Sequence, residues 1–196
     1  MKKLFFLFFL FLSSLSFGGI ITIDFGGSQD FLDYEGGIKK KTFTPFFGFS
    51  VGGKEPGWHM RLRISGGYRD FNLSNEQGFE KDISSTLRMI LGPQWIFESD
   101  SNLFFFVYAG LEYRETEAKY KVTYSSYWYD YLFFRRFSIP VSLGMFYRMD
   151  PFVLSIEGEA GVIPLYSMYH KKINGTSPVW YNEFNFAVYT NIGIVY

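Results

Sequence analysis

The chain has 196 residues, room for one domain and not comfortably for two. Its 19 basic residues match 19 acidic ones, which gives no basis for a nucleic-acid partner. The absence of cysteine excludes disulfides and thiolate metal or redox sites. Aromatic residues make up 22% of the chain, 25 of them Phe and 15 Tyr, so many rings are expected at an interface.

The opening "MKKLFFLFFLFLSSLSFG" reads as a secretory signal peptide over residues 1–18, leaving 19–196 as the folded domain. Lys2 and Lys3 form the basic end, and Leu4 to Leu12 the apolar stretch. Small residues then allow cleavage after Gly18 or after Ser16. This apolar run falls well short of the roughly 20 residues that a spanning helix needs. No cysteine follows it, so a lipoprotein anchor is excluded. Beyond it no apolar run reaches helical-span length, and a membrane could be crossed only by strands.

Eight segments alternate apolar and polar residues, the signature of strands with two unlike faces. The first, from Ile20, sets Ile21, Ile23 and Phe25 against Thr22, Asp24 and Gly26. The second sets Phe43, Phe47 and Phe49 against Thr42, Thr44 and Ser50. The third, "WHMRLRISGGYRDF", sets Trp58, Met60, Leu62 and Ile64 against His59, Arg61, Arg63 and Ser65. In the fourth, Leu87, Met89, Leu91 and Trp95 oppose Arg88, Gly92, Gln94 and Glu98.

The fifth sets Phe105, Val107 and Leu111 against Tyr108, Glu112 and Arg114. The sixth sets Phe137, Val141 and Leu143 against Arg136, Ser138 and Ser142. The seventh sets Phe152, Leu154 and Ile156 against Ser155, Glu157 and Glu159. The eighth, "EFNFAVYTNIGIVY", sets Phe184, Phe186 and Val188 against Asn185 and Asn191. "GGKEPG", "SDSN" and "MDP" read as tight turns. Between them fall long polar connections near residues 33–41, 73–83, 117–132 and 167–182. Short turns at one end and long loops at the other describe an all-β, eight-stranded, antiparallel up-and-down transmembrane β-barrel.

The two faces decide which side looks inward. The polar face carries Asp24, Arg61, Arg63, Arg88, Glu112, Arg114, Arg136, Glu157 and Glu159, interleaved with glycines that make room for long side chains. The other face has no mid-strand charge. Its rings gather in two rows, one near the turns (Trp58, Phe97, Phe105, Tyr147, Phe152, Tyr196) and one near the loops (Tyr68, Tyr113, Phe137, Tyr166, Phe184). Two ring rows flanking an aliphatic band suit two membrane interfaces. The arginines are therefore expected to point inward and form a salt-bridged plug, since an unpaired buried charge costs several kcal/mol.

On this pattern, residues 19–196 resemble the small eight-stranded outer-membrane proteins of Gram-negative bacteria, the OmpX and Ail type and the transmembrane domain of OmpA. The C-terminal "NIGIVY" is similar to the assembly signal of that class, with Tyr196 last and Ile194 and Ile192 before it. Asn191 stands where a glycine is usual, and Gly193 follows two residues on. The resemblance implies recognition by the barrel-assembly machinery, an outer-membrane location reached through the secretory route, and outer-membrane lipid and lipopolysaccharide as surroundings. With nothing after the last strand, no peptidoglycan-binding domain is expected, and the barrel is expected to be a monomer.

No cofactor, metal or catalytic set is read from the sequence. Barrel deacylases of lipid A place His and Ser two residues apart, whereas His59 is followed at that spacing by Arg61 and His170 by Lys172. His170 with Ser167 reads as a loop histidine, and His59 as a member of the plug. "KKK" at 39–41 and "KK" at 171–172 are placed on long loops, where they suit lipopolysaccharide phosphates or solvent. In "KYKVTYSSYWYDYLFF", Tyr120, Tyr124, Tyr127, Tyr129 and Tyr131 with Trp128 read as a hairpin extending strands five and six and turning at Ser125 and Ser126. Tyr and Ser together suit an adaptable binding surface for an extracellular protein or surface ligand. The expected role is structural or adhesive, with a small-solute channel of the OmpW type or a lipid A-modifying enzyme as alternatives.

Overall fold

The computed structural model describes residues 19–34, 38–68, 79–100, 102–122, 128–171 and 179–196. These form nine strands: β1 (Ile20–Tyr34), β2 (Ile38–Gly52), β3 (Gly57–Gly67), β4 (Phe79–Asp100), β5 (Leu103–Ala109), β6 (Leu111–Val122), β7 (Trp128–Met149), β8 (Phe152–Lys171) and β9 (Val179–Val195). Every pairing is antiparallel, and β1 pairs with both β2 and β9, so the sheet closes on itself. β5 and β6 are two halves of one wall strand, both lying between β4 and β7, which makes the ring eight strands around. Closure leaves no free sheet edge at the level where every strand is paired.

The break between β5 and β6 has a local cause. Gly110 lies against Pro140 of β7, which has no N–H for the ladder, and Gly110 N–H donates to the Pro140 carbonyl at 3.3 Å. On the other side a Cβ on Gly92 would collide with the Ala109 carbonyl and Gly110 Cα, so the β4 backbone approaches closer there than any side chain permits. Register irregularities in β7 at Phe137–Pro140 mark the same level.

Side-chain parity is kept all the way round. Every exposed large apolar residue among those described, from Ile23 and Phe25 through Leu143 and Val188 to Ile194, sits on the parity opposite to the buried charged residues. Trp58 is 69% exposed and Leu143 63%, whereas Asp24, Arg63, Arg88 and Glu112 are completely buried. An apolar surface of this extent encircling a charged interior is the inverse of a soluble barrel and fits a hydrocarbon surrounding. Trp58 and Trp95 meet edge-on at 4.6 Å near the short turns, and Tyr113 and Phe137 lie 5.1 Å apart towards the other end.

The strands run further than their alternation suggests. The first segment's pattern fades at Gly26 and Gly27, yet β1 stays paired with β2 as far as Tyr34 and Ile38. The connection expected at 33–41 therefore shrinks to residues 35–37, and Lys39–Lys41 fall in β2 instead of on a loop. Likewise β4 begins at Phe79, β6 reaches Val122, β7 starts at Trp128, β8 reaches Lys171 and β9 starts at Val179. Backbone pairing with a neighbour continues the ladder where polar side chains no longer show a period. Residues 1–18, read above as a signal peptide, lie outside the described residues.

Candidate functional site

Ten charged residues are buried among those described, and all ten face the lumen: Arg61, Arg63, Arg88, Arg114 and Arg136 with Asp24, Asp30, Glu112, Glu157 and Glu159. Five positive charges thus meet five negative ones. Arg63 on β3 donates from Nε to Asp24 on β1 at 2.9 Å, and from both terminal nitrogens to Glu157 on β8 at 3.0 and 2.5 Å. Arg61 reaches the same Glu157 at 2.9 Å. Arg63 also lies 3.6 Å from Glu159, which is in turn held by Arg88. From Arg88 the chain of contacts passes to Glu112 at 2.8 Å, and Arg114 then links Glu112 at 3.0 Å to Asp30 at 2.9 Å. Arg136 completes it at 2.6 Å from Glu112.

Several of these bonds cross the barrel. In a ring of eight, β3 stands opposite β8, and β1 opposite the β5–β6 strand. The Arg63–Glu157 and Arg114–Asp30 pairs therefore meet across the axis. So do Arg88 on β4 and the Tyr189 hydroxyl on β9, which accepts from it. Charges in so small a low-dielectric space are tolerable only when paired and hydrogen-bonded.

Register explains why Glu112 is the centre. Arg88, Arg114 and Arg136 are Cα partners across β4, β6 and β7, three like charges side by side. Like charges directly opposite on a sheet repel. Glu112 sits two residues from Arg114 on the same face and accepts from all three arginines, and from the Ser138 hydroxyl at 2.5 Å. Each of the five carboxylates is engaged by at least one arginine, so the set is built for pairing.

The interior also holds rings. Tyr189 lies under Arg63 at 4.1 Å, and Phe46 sits between Arg88 at 5.6 Å and Arg114 at 5.5 Å. These cation–π contacts replace part of the hydration that the guanidinium groups lose. Small residues make the room: a Cβ on Gly26 would fall 2.6 Å from the Tyr189 ring, and one on Gly144 would collide with that of Phe106. Towards the short turns the lumen is apolar, with Ile20, Ile90, Ile96, Phe104, Phe106, Tyr108, Phe146 and Val153 packed into one cluster. An interior read as polar throughout is therefore ionic at mid-height and hydrophobic at the turn end.

Sequence reasoning placed nine of the ten charged residues on the inner face and missed Asp30. The signal was there: Asp30 shares the parity of Asp24, but two glycines interrupt the pattern between them. His59, read as a plug member, instead has Nε2 2.7 Å from the Glu55 carbonyl in the β2–β3 turn, outside the network. Glu98, set on the inner face, is exposed near the β4–β5 turn.

Of the aromatic hairpin, Tyr120 pairs with Tyr129 and Lys121 with Trp128, and Tyr131 lies in β7. Tyr124, Tyr127 and the turn at Ser125 and Ser126 lie outside the described residues. His170 and Ser167 fall in β8. Ile192 and Ile194 face outward, and Tyr196 exchanges backbone bonds with Gly19 at 3.0 and 3.2 Å.

No family model matches the chain, and no curated protein matches it. Solved structures do. The chain is similar to the outer membrane protein AlkL, with a TM-score of 0.56 and 12% identity over 91% of this chain and 90% of that one. A major outer membrane protein of Thermus thermophilus aligns with a TM-score of 0.52 and 10% identity over 90% of this chain and 99% of that one. Ail, the attachment invasion locus protein of Yersinia pestis, aligns with a TM-score of 0.50 and 12% identity over 91% and 99%. At these identities the likeness is one of fold. The chain has the fold of the small eight-stranded outer-membrane β-barrels.

Proposed function

We propose that this protein resides in the outer membrane of a Gram-negative bacterium as a barrel with a closed lumen, and that its working surface is the hairpin of residues 117–133. The role is structural or adhesive. The observation that carries the closed lumen is the ten-residue network, whose cross-axis pairs occupy the space a solute would need. Each of the five buried carboxylates among the described residues is tied to arginine, so none of them is a free acid or base for chemistry. That leaves the outer surface as the place where a partner is met.

The hairpin is suited to this. β6 and β7 remain paired out to Lys121 and Trp128, eight residues past Tyr113 in the outer ring row. At about 3.3 Å per residue this is roughly 25 Å of strand beyond the apolar belt. Tyrosine-rich strands at such a position favour partner binding by contact or β-pairing. Delivery uses the signal peptide 1–18 and the barrel-assembly machinery.

Replacing Tyr124, Tyr127, Trp128 and Tyr129 together by serine tests the reading. The barrel is expected to assemble unchanged, while attachment of cells carrying it to host matrix or to neighbouring cells falls. Unchanged attachment would defeat the adhesive role and leave the structural one. Lipid A mass spectrometry of cells with and without the protein runs beside it, and an altered lipid A would establish an enzyme instead.

A further inference from the structure

The apolar cluster at the turn end is not part of the charge network, yet it occupies the same lumen. Phe104 and Phe106 enter from β5, Phe146 from β7, Val153 from β8, Ile20 from β1 and Ile96 from β4. Phe104 and Phe146 stack at 4.8 Å with their planes 11° apart, and Phe106 lies 6.4 Å from Phe146. All six side chains are at least 93% buried. Residues from five strands thus converge on one floor within a few positions of the short turns.

Between this floor and the network lies a pocket of about 30 Å³ bordered by Arg61, Gln94, Thr22, Ser50 and Phe106. Arg61 Nη1 and Gln94 Oε1 have no protein partner. An orphan donor and an orphan acceptor around a space of this size suit one or two waters and no larger guest.

Resting on the closed-lumen reading above, we infer that the barrel carries two barriers in series, and that the phenylalanine floor at its periplasmic end excludes ions independently of the salt-bridge layer. The physical basis differs between the two. The ionic layer blocks by occupying the axis with paired charges. The six floor side chains themselves carry no polar atom to replace an ion's water, and an apolar constriction excludes ions by staying dry. Breaking the ionic layer alone therefore leaves the pore shut.

Planar-bilayer recording on the assembled barrel separates the barriers. One variant combines Arg63→Ser with Glu157→Ser. A second combines Phe106→Gln with Phe146→Gln, which replaces two rings of the floor by smaller polar amides. A third carries all four changes, and each is recorded after heat-modifiable migration shows that it has assembled. Where the fourfold variant does not assemble, Phe146→Gln added to the Arg63→Ser, Glu157→Ser pair takes its place. The ionic variant is expected to remain silent, and the combined variant to show steady conductance steps. Conductance of the ionic variant equal to that of the combined one overturns the inference, as does silence of the assembled combined variant. Steady conductance of the unaltered protein would instead overturn the closed-lumen reading on which the inference rests.

Discussion

Arg63 on β3 and Glu157 on β8 face each other from opposite walls of the barrel and join through two parallel bonds of 3.0 and 2.5 Å, both side chains fully buried. Such a two-pronged pair fixes the distance between walls as well as the charge balance, because the guanidinium fork matches the carboxylate plane. Glu157 also neutralises Arg61, and Arg63 also neutralises Asp24. Removing either partner strands more than one charge.

Glu157→Ala is accordingly expected to destabilise the barrel by about 3–5 kcal/mol, measured by urea unfolding in lipid vesicles. Arg61 and Arg63 would remain buried, with Asp24 and Glu159 left to serve both. A loss below about 1 kcal/mol, the size of an exposed pair, would show that water reaches this layer.

Glu112→Gln should cost more than Asp30→Asn in the same assay. Glu112 compensates three arginines whose backbones are cross-strand neighbours, whereas Asp30 engages one of the three, Arg114. Removing Glu112 exposes like-charge repulsion along the whole row. The reverse order would place the electrostatic centre at Asp30.

Val188→Arg tests the outer wall. Val188 is 59% exposed, midway along the outward row of β9 between Phe184 and Ile192. A charge at mid-belt is expected to cost about 2–4 kcal/mol in a bilayer, against about 0–1 for Trp58→Arg near the turns. Equal and negligible costs at both positions would mean that lipid does not cover this face.

Gly92 and Gly158 make a contrasting pair. A methyl group at Gly92 meets the backbone of Ala109 and Gly110, while one at Gly158 meets nothing within 4 Å. Gly92→Ala is expected to lower the assembled fraction on unboiled gels, at the upper end of the roughly 1–3 kcal/mol that overpacking costs. Gly158→Ala should leave assembly unchanged or slightly improved. An unaffected Gly92→Ala would show that β4 and the β5–β6 strand are further apart than their register indicates.

Much of the fold was legible in the chain because it depends on parity alone. A strand's side chains alternate with a period of two, so "WHMRLRISGG" divides its arginines from its apolar residues whatever lies beside it. Eight such segments, three short turns and an outer face without mid-strand charge then require a closed wall turned inside out. Parity cannot say which arginine meets which carboxylate. That follows from register and closure, which bring Arg63 to Glu157 across 94 positions of sequence and Arg114 to Asp30 across 84. Nor can alternation reveal a strand whose polar end has lost its pattern, which is why Asp30 and the paired ends of β1 and β2 emerged only from the assembled sheet. The phenylalanine floor was hidden for a related reason. In "LFFFVYAG" apolar rings occupy both faces, and only the meeting of five strands at one end of the lumen assigns Phe104 and Phe106 to the interior.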